Sequence, residues 1–359
     1  IVGHVDIDQK GQMGIERYFN DKLSVAENVN LSLDINLQQI VRKSLIETIN
    51  QYRADSGLAI VMEIKSGQIL SSVSMPDYDP SNKSTFKDKN LTNRVFQSNF
   101  EMGSTFKPII ATMGFDLGII DSDMTFNVTK KYLNIGDHDK YKDNGIYNIE
   151  KIIVESSNIG VAQVATKIGK KNQIDFFNKI GFNERINIEN KESAYPLGNK
   201  NNWGKIETAT IGFGHGFSIT PLHLVKAYAT LSNEGREVNP TLLLQKINKN
   251  RQILNREKSS KFFLNLLNAV VVKTKYTGSR VKVDGYHVGG KTGTSELLNP
   301  KGGYYKDRNL TSFIGVFPIN NPQYVIYTAL EYPKNKEDAK QRMTGARVNA
   351  PLVKDIIIN

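Results

Sequence analysis

The chain has 359 residues, of which 39% are hydrophobic and 23% are charged, a composition that is typical of a folded globular protein and excludes a disordered one. Its formal net charge of +11 favours an anionic surface or an acidic polymer as partner. Nucleic acid is not expected, because the lysines are scattered along the sequence instead of being gathered in one block. The absence of cysteine excludes disulfides, thiol nucleophiles and thiolate metal sites.

The first part of the chain predicts a helix followed by a β-hairpin. Residues 1–30 lack a strong period, and we expect a loop that enters a short helix. Asp34 is a suitable N-cap for the next segment, because apolar residues recur at helical spacing over residues 35–49. Residues 57–74 alternate in polarity and break at residues 65–67, which predicts a hairpin with its turn at Ser-Gly.

The middle of the chain predicts helices. Residues 76–100 are polar and rich in turn formers, whereas helical signals dominate residues 104–231. Thr220 followed by Pro221 is a favourable helix start, since Thr caps the first turn and Pro fits the first helical position. Gly235 is the expected stop of that helix. We therefore expect an all-helical region here.

The last part of the chain predicts mainly strands. A helix is expected over residues 261–273, and three strands over residues 281–295, 310–318 and 323–332. Short loops join these strands, so they are expected to be antiparallel. Residues 346–358 predict a closing amphipathic helix. This order of elements predicts an α+β fold, in which an antiparallel sheet is covered by helices on both faces and carries an all-helical subdomain.

Three short polar motifs occur in one order along the chain. They are S-x-x-K at residues 104–107, S-x-N at residues 156–158 and K-T-G at residues 291–293. Each motif alone is a weak signal, and Ser156 with Asn158 would equally suit a helix cap. Their joint occurrence in this order, with a pair of glycines before the third, favours one nucleophilic site.

The first motif has the residues of an activated serine nucleophile. Ser104 and Lys107 are three residues apart, so on a helix they lie on one face. Pro108 requires that this helix begins near Ser104, where backbone N–H groups favour developing negative charge. Lys107 can accept the serine proton only as a neutral amine, so its pKa must be lowered by burial and by a nearby cation. Lys291 can supply that cation.

The second motif suits a link in a proton path. The Ser156 hydroxyl can both donate and accept, and can therefore pass a proton toward a leaving amine. The Asn158 amide can contact the lysine and a substrate amide at the same time. Both residues are predicted to be part of the catalytic site.

The third motif suits recognition of a substrate carboxylate by a strand. Lys291 offers a cation, and Thr292 and Thr294 offer two hydroxyls. Gly293 is expected to leave room for a ligand that lies along the strand edge. The N–H groups of Ser104 and Thr294 are expected to form the oxyanion hole.

Two other patterns suggest nucleotide binding but lack its context. Residues 285–292 match the P-loop pattern G-x-x-x-x-G-K-[ST], yet helix breakers follow where a helix N-terminus should hold phosphate. Residues 212–216 lack the last glycine of a dinucleotide loop and predict a turn. The histidines form no metal-binding spacing and are expected to be structural, as is Trp203. The set of histidines is His4, His138, His215, His223 and His287.

The motifs and their surroundings resemble class B penicillin-binding proteins, and within them the cell-division peptidoglycan transpeptidases. The likeness runs in order through nearly the whole chain. It includes residues 14–16, 33–38, 101–108, 156–160, 212–221 and 289–294. The division type is favoured over the elongation type, because Asn158 stands where elongation enzymes usually carry Asp.

This resemblance implies a penicillin-binding transpeptidase or serine β-lactamase-like fold and a serine D,D-transpeptidase that needs no metal or cofactor. Its substrates would be peptidoglycan stem peptides ending in D-Ala-D-Ala, and β-lactams would inhibit it. The resemblance also implies an anchor in the bacterial inner membrane, upstream of this chain, with the catalytic domain outside the cytoplasm. A lipid II polymerase of the division machinery is the implied partner, together with associated membrane proteins. Residues 1–30 would be a remnant of a non-catalytic pedestal or linker, and residues 31–359 the transpeptidase domain.

Two alternatives share the acylation apparatus. A serine β-lactamase needs a further base that drives water onto the acyl-enzyme, and we find no class A glutamate motif between the second and third motifs. A catalytically inactive β-lactam-binding sensor or scaffold would be acylated without turnover.

Overall fold

A five-stranded antiparallel sheet forms the centre of the molecule. The computed structural model describes residues 1–137, 145–198, 203–244, 251–299, 301–335 and 341–359. The sheet has the order β2-β1-β9-β8-β7, so β7 lies at an edge. The strands are β1 Ser56–Glu63, β2 Ile69–Met75, β3 Phe100–Glu101, β4 Thr125–Asn127, β5 Ile146–Asn148, β6 Ser218–Ile219, β7 Gly289–Leu298, β8 Tyr304–Phe317 and β9 Tyr324–Glu331.

Helices cover both faces of this sheet, as expected. They are α1 Gly14–Tyr18, α2 Asn20–Leu23, α3 Ile35–Tyr52, α4 Asp88–Leu91, α5 Arg94–Gln97, α6 Lys107–Asp116, α7 Ile149–Val154, α8 Asn158–Ile168, α9 Lys170–Ile180, α10 Lys205–Thr210, α11 Pro221–Ser232, α12 Lys258–Lys273, α13 Lys275–Val281 and α14 Gly345–Ile358. Within the described ranges, none of them is long and apolar enough to cross a membrane.

Alternating strand residues divide the hydrophobic core into two layers. Leu58, Ile60 and Met62 of β1 pack in one cluster with residues of α6, α8 and α11. Ala59 and Val61 of the same strand pack in a second cluster with residues of α3 and α14. Successive side chains of a strand point to opposite faces, so one apolar strand supplies both layers. The active-site motifs lie on elements of the first layer and on the edge strand β7.

Several elements lie where local features of the sequence predicted them. The Asp34 side chain accepts hydrogen bonds from the backbone N–H groups of Asn36 and Leu37, at 2.9 and 3.0 Å, and so caps α3. A cap of this kind contributes about 1 kcal/mol. Thr220 likewise caps α11. The hairpin of β1 and β2 and the antiparallel order of β7, β8 and β9 are also confirmed.

Three expectations about the fold are wrong. The middle region is not all-helical, because β4 pairs with β5 and β3 pairs with β6 in two small sheets. The strand expected from residue 281 begins only at Gly289, since residues 275–281 form α13. Helix α11 ends at Ser232, and Gly235 takes a positive φ in the turn that follows. The first error arises because pairing between residues that are distant in the chain leaves no periodic signal in such short strands, and the other two concern where an element begins or ends.

Candidate active site

Ser104 lies in a tight turn that leads directly into α6. Residues Gly103–Phe106 form a single 3-10 turn, and Pro108 occupies the first turn of α6, where its missing N–H costs nothing. Gly103 has a φ of +55°, which a side chain would strain, and its N–H donates to the carbonyl oxygen of Gly214 at 3.3 Å. Ser104 is partly exposed at this helix start. The prediction that the helix begins near Ser104 is therefore confirmed.

Hydrogen bonds from neighbouring elements hold the turn in place. The Tyr228 hydroxyl of α11 donates to the Thr105 carbonyl at 2.6 Å, and the Thr105 hydroxyl donates to the Met102 carbonyl at 2.7 Å. From β7, the Ser295 hydroxyl donates to the Glu101 carbonyl at 2.7 Å. The backbone around Ser104 is thus fixed relative to both the helical layer and the edge strand.

Lys107 is fully buried and contacts the second motif. Its Nζ donates to the Ser156 carbonyl at 2.5 Å, to Ser156 Oγ at 3.2 Å and to Asn158 Oδ1 at 2.7 Å. Burial, and then the charge of Lys291, lower the pKa of Lys107 well below its usual value, while Asp137 acts in the opposite direction. A lowered pKa of this kind increases the fraction of Lys107 that is present as the neutral amine.

Lys291 reaches the same serine from the edge strand. It is 2% exposed, and its Nζ donates to Ser156 Oγ at 3.0 Å. Burial lowers the pKa of Lys291 to about 8. Ser156 has a φ of 55°, an uncommon conformation for a residue other than glycine, and its hydroxyl is within hydrogen-bond distance of both lysine Nζ atoms. Four of the predicted residues are therefore brought together by direct contacts: Lys107, Ser156, Asn158 and Lys291.

The rest of the third motif lies close to the serine turn and to the start of α14. A Cβ added at Gly293 would clash with Ser312 Oγ of β8, and it would lie 3.0 Å from Thr105 Cγ2 and 3.2 Å from the Met102 carbonyl oxygen. The missing side chain thus lets both β8 and the serine turn approach β7, and the expected room for a ligand along the strand edge stays a prediction. The Thr294 hydroxyl donates to the Gly293 carbonyl at 2.8 Å and accepts from the Gly345 N–H at 3.5 Å. Thr292 is partly exposed.

An acidic residue outside the motifs also contacts the second motif. Asp137 accepts hydrogen bonds from Ser157 Oγ and the Asn158 N–H, each at 2.5 Å, and from the Ile159 N–H at 3.1 Å. Ser157 Oγ in turn accepts from the Gly160 N–H at 2.9 Å. Ser156 and Asn158 were considered as helix caps, but the cap of α8 is Ser157, which lies between them. The side chains of Ser156 and Asn158 contact the lysines instead.

A second polar cluster lies behind the serine turn. Glu101 is buried, and its Oε1 accepts from the Gly216 N–H and from the Tyr304 hydroxyl, both at 2.8 Å. His215 Nδ1 lies 2.9 Å from Glu101 Oε2, and the His215 ring stacks on Tyr304 with centroids 5.0 Å apart. The hydrogen bond to Glu101 raises the pKa of His215. Residues 212–216 form a turn as expected, and this turn contacts the Glu101 carboxylate through Gly216 and His215.

Comparison with known proteins gives the same family that the three motifs predicted. The family described as "Penicillin binding protein transpeptidase domain" matches residues 57–357. The chain belongs to this family. Both the family expected from the sequence and the expected fold are confirmed. Among curated proteins, the probable peptidoglycan D,D-transpeptidase FtsI of Caulobacter vibrioides is 30% identical over 375 residues, covering 99% of this chain and 63% of that protein.

Solved structures of the same family match over most of the chain. Penicillin binding protein 3 of Mycobacterium tuberculosis, complexed with aztreonam, superposes with a TM-score of 0.86 at 25% identity, covering 99% of this chain and 86% of that one. The transpeptidase domain of penicillin-binding protein 3 from Burkholderia pseudomallei gives a TM-score of 0.78 at 24% identity, covering 91% and 94%. The latter likeness shows the fold alone.

The P-loop pattern of this transpeptidase domain has no phosphate site. Lys291 lies inside β7, which continues to Leu298, so no helix N-terminus follows the glycines. Among the described residues, no group of acidic residues and histidines could hold a metal ion. Trp203 packs against Phe177, as expected of a core residue. His138 lies outside the described residues.

Proposed function

We propose that this chain is the catalytic domain of a serine D,D-transpeptidase that cross-links peptidoglycan stem peptides during septal wall synthesis. The observation that carries the proposal is the position of Lys107. This lysine is buried three residues after Ser104, and it shares the Ser156 hydroxyl with a second buried lysine, Lys291. The transpeptidase name of the Caulobacter relative and the aztreonam complex of the mycobacterial neighbour support the same reaction class.

Acylation would begin with proton transfer from Ser104 to neutral Lys107. The Ser104 oxygen forms a bond to the carbonyl carbon of the penultimate D-Ala, and the carbonyl oxygen becomes an oxyanion. The N–H groups of Ser104 and Thr294 would stabilise this oxyanion. The C–N bond then breaks, and the terminal D-Ala leaves as an amine after taking up a proton through Ser156. A neutral amine from a second stem peptide then forms a C–N bond to the ester carbonyl carbon, the C–O bond to Ser104 breaks, and the proton lost by the amine passes through Lys107 to the Ser104 oxygen.

The remaining motif residues would orient the donor peptide. Asn158 accepts a hydrogen bond from Lys107 through its oxygen, which leaves its amide nitrogen to donate to a substrate carbonyl. Lys291 and Thr292 would attract the terminal carboxylate of D-Ala-D-Ala. Gly293 keeps β7 close enough to the serine turn for Thr294 to act on the same carbonyl.

The cellular setting follows from the same proposal. The chain spans 63% of the Caulobacter relative, and we infer that further segments of the whole protein include an inner-membrane anchor. The catalytic domain would then face the periplasm or cell exterior and work beside a lipid II polymerase of the division machinery. The boundary between a pedestal remnant at residues 1–30 and a transpeptidase domain at residues 31–359 stays a prediction.

Two assays with the purified chain separate this function from its alternatives. In a reconstituted wall-synthesis reaction with a lipid II polymerase, we expect cross-linked stem peptides, and we expect penicillin to block them. With penicillin alone, we expect an acyl-enzyme that hydrolyses slowly. Rapid turnover of penicillin would indicate a β-lactamase instead, and acylation with no cross-linking would indicate an inactive sensor.

A further inference from the structure

The Asp137 carboxylate fixes the N-terminus of the helix that carries the second motif. Helix α8 has 11 residues, and its first N–H groups have no partners within the helix. The carboxylate of Asp137 accepts from two of them, those of Asn158 and Ile159, and from the hydroxyl of the capping residue Ser157. Asp137 lies 20 residues before Ser157, in the segment after β4. The start of α8 is therefore held by a group outside the helix.

These contacts determine where the partners of Lys107 lie. The Asn158 side chain and the Ser156 carbonyl each accept a hydrogen bond from Lys107 Nζ. Both acceptors lie within one residue of the N-cap that Asp137 holds. A shift at this cap would move both acceptors relative to Lys107, and catalytic geometry is sensitive to displacements of about 1 Å.

Asp137 also brings a negative charge to a site of like charges. Lys107 is influenced by the charge of Lys291 on β7 and by that of Asp137, while Ser156 and Asn158 contribute uncharged contacts. The N-terminus of α8 adds a partial positive charge. Of the two charged groups, Lys291 lowers the pKa of Lys107 and Asp137 raises it. Since Lys107 must be neutral to accept a proton, Asp137 opposes the effect of the second lysine.

We propose that Asp137 is a positioning residue that holds the second motif against Lys107 and, through its charge, sets the lower end of the pH range in which Ser104 is acylated. This inference rests on the proposed function, because it concerns the acylation step. It assigns two separable roles to one carboxylate. The geometric role belongs to its oxygen atoms, and the electrostatic role belongs to its charge.

The chain contains a matched control in Asp116. This carboxylate accepts from the N–H groups of Asn255 and Arg256, each at 2.9 Å to Oδ1, and from Ser259 Oγ at 2.8 Å. It thus holds the segment that leads into α12, together with Ser259 of that helix, through the same kinds of donor that Asp137 contacts at the start of α8. Asp116 lies at the opposite end of α6 from Lys107. Removing its charge perturbs a comparable set of hydrogen bonds away from the lysines.

The test measures acylation by a chromogenic β-lactam over a range of pH in four variants. Asp137→Asn keeps an oxygen that accepts from the two N–H groups but removes the charge. We expect the acid limb of its profile to move to lower pH, so that the ratio of the rate constant at acid pH to the plateau rises about three- to tenfold. Asp137→Glu keeps the charge but displaces the oxygens. We expect an acid limb at the wild-type position and a plateau lowered about tenfold.

Asp137→Ala should combine the two effects, and Asp116→Asn should leave the acid limb unchanged. The inference is overturned if the profile of Asp137→Asn coincides with that of wild type or moves to higher pH, or if Asp116→Asn moves it equally. Circular dichroism identifies a variant that does not fold. If Asp137→Asn is that variant, the decision passes to Asp137→Glu, whose acid limb must stay in place. Failure of wild type to be acylated would overturn the proposed function itself, which is a distinguishable result.

Discussion

Two polar clusters contain the residues that flank the serine turn along the chain, Glu101 before it and Lys107 after it, and they differ in charge. The first, here named the lysine cluster, brings two buried cations to one hydroxyl, and the pKa values of both lysines fall. The second, the glutamate cluster, pairs a buried carboxylate with a histidine whose pKa rises. The lysine cluster is Lys107, Lys291, Ser156, Asn158 and Asp137, and the glutamate cluster is Glu101, His215, Tyr304 and Gly216.

This difference in charge indicates that the lysine cluster carries the reactive group and that the glutamate cluster stabilises the structure around it. Buried like charges oppose folding and leave a lysine ready to lose its proton, which is the property of a catalytic base. In the glutamate cluster, Oε1 of the buried carboxylate accepts hydrogen bonds from the glycine-rich turn and from β8, and Oε2 lies 2.9 Å from His215 Nδ1. This cluster holds elements around the turn without supplying a reactive group. Substitutions in the first cluster should therefore affect chemistry, and those in the second should affect geometry and stability.

The largest effect is expected for the proposed base. Lys107→Ala should lower the acylation rate constant about a thousandfold or more, because it removes the proton acceptor. Lys291→Ala should cost only about tenfold with an acylating agent that lacks a carboxylate, since it removes a donor and a charge that lowers the pKa of Lys107. Stopped-flow acylation with such an agent measures both. Equal losses would contradict the assigned roles.

A smaller effect is expected from the titration of Lys291. With a pKa of about 8, this lysine is cationic at neutral pH and loses its charge as the pH rises through that value. Ligands that carry a carboxylate should therefore bind about tenfold more weakly at alkaline pH. Carboxylate-free agents should not show this decrease. Lys291→Arg, which stays charged, is the control, and a decrease that persists in it would rule out Lys291 as the titrating group.

Substitutions in the glutamate cluster should have modest effects on rate. Tyr304→Phe removes one hydrogen bond to Glu101 and should lower the acylation rate constant by about three- to tenfold, with a lower melting temperature. The acid limb of the pH profile should not move, because the cluster does not supply the base. A displaced acid limb in Tyr304→Phe would mean that the two clusters are electrostatically coupled.

The smallest effect concerns stability and pH at His215. Its folded pKa is raised above the ordinary value near 6.5, so its contribution is fully present below pH 6.5 and is lost as the pH rises through the folded pKa. The side chain is 42% exposed, which limits the size of this contribution. Chemical denaturation of wild type and His215→Asn at several pH values measures it. A difference between them that grows with rising pH would contradict the assignment.

Sequence reasoning succeeded where the signal is local. Asp34 and Thr220 were recognisable as caps because the groups they satisfy lie within four residues. The three motifs were recognisable because nucleophilic chemistry needs certain residue types at fixed spacing. Asp137 and Glu101 could not be found in this way. Their contacts span 20 residues for Asp137 and Ser157, and 203 for Glu101 and Tyr304, with no periodic or motif signal.

The left-handed conformation of Ser156 was equally hidden from the sequence. Nothing in the residues around it requires a positive φ, which is usually the property of glycine. The conformation ends helix α7, because Ser156 directly follows its C-cap and the Ser157 N–H donates to the Ile152 carbonyl at 2.9 Å, the pattern of a left-handed helix C-terminus. The sequence thus predicted that Ser156 lies near Lys107 and Lys291, but it did not predict the backbone conformation of Ser156.

The most direct test of the proposed nucleophile is the intact mass of the protein after incubation with benzylpenicillin. We predict a mass increase of one penicillin, carried by the peptide that contains Ser104. Ser104→Ala should remain unmodified and melt at the wild-type temperature, because the loss of one partly exposed hydroxyl costs little stability. An adduct that persists in Ser104→Ala, or a wild-type protein that stays unmodified, would contradict the account.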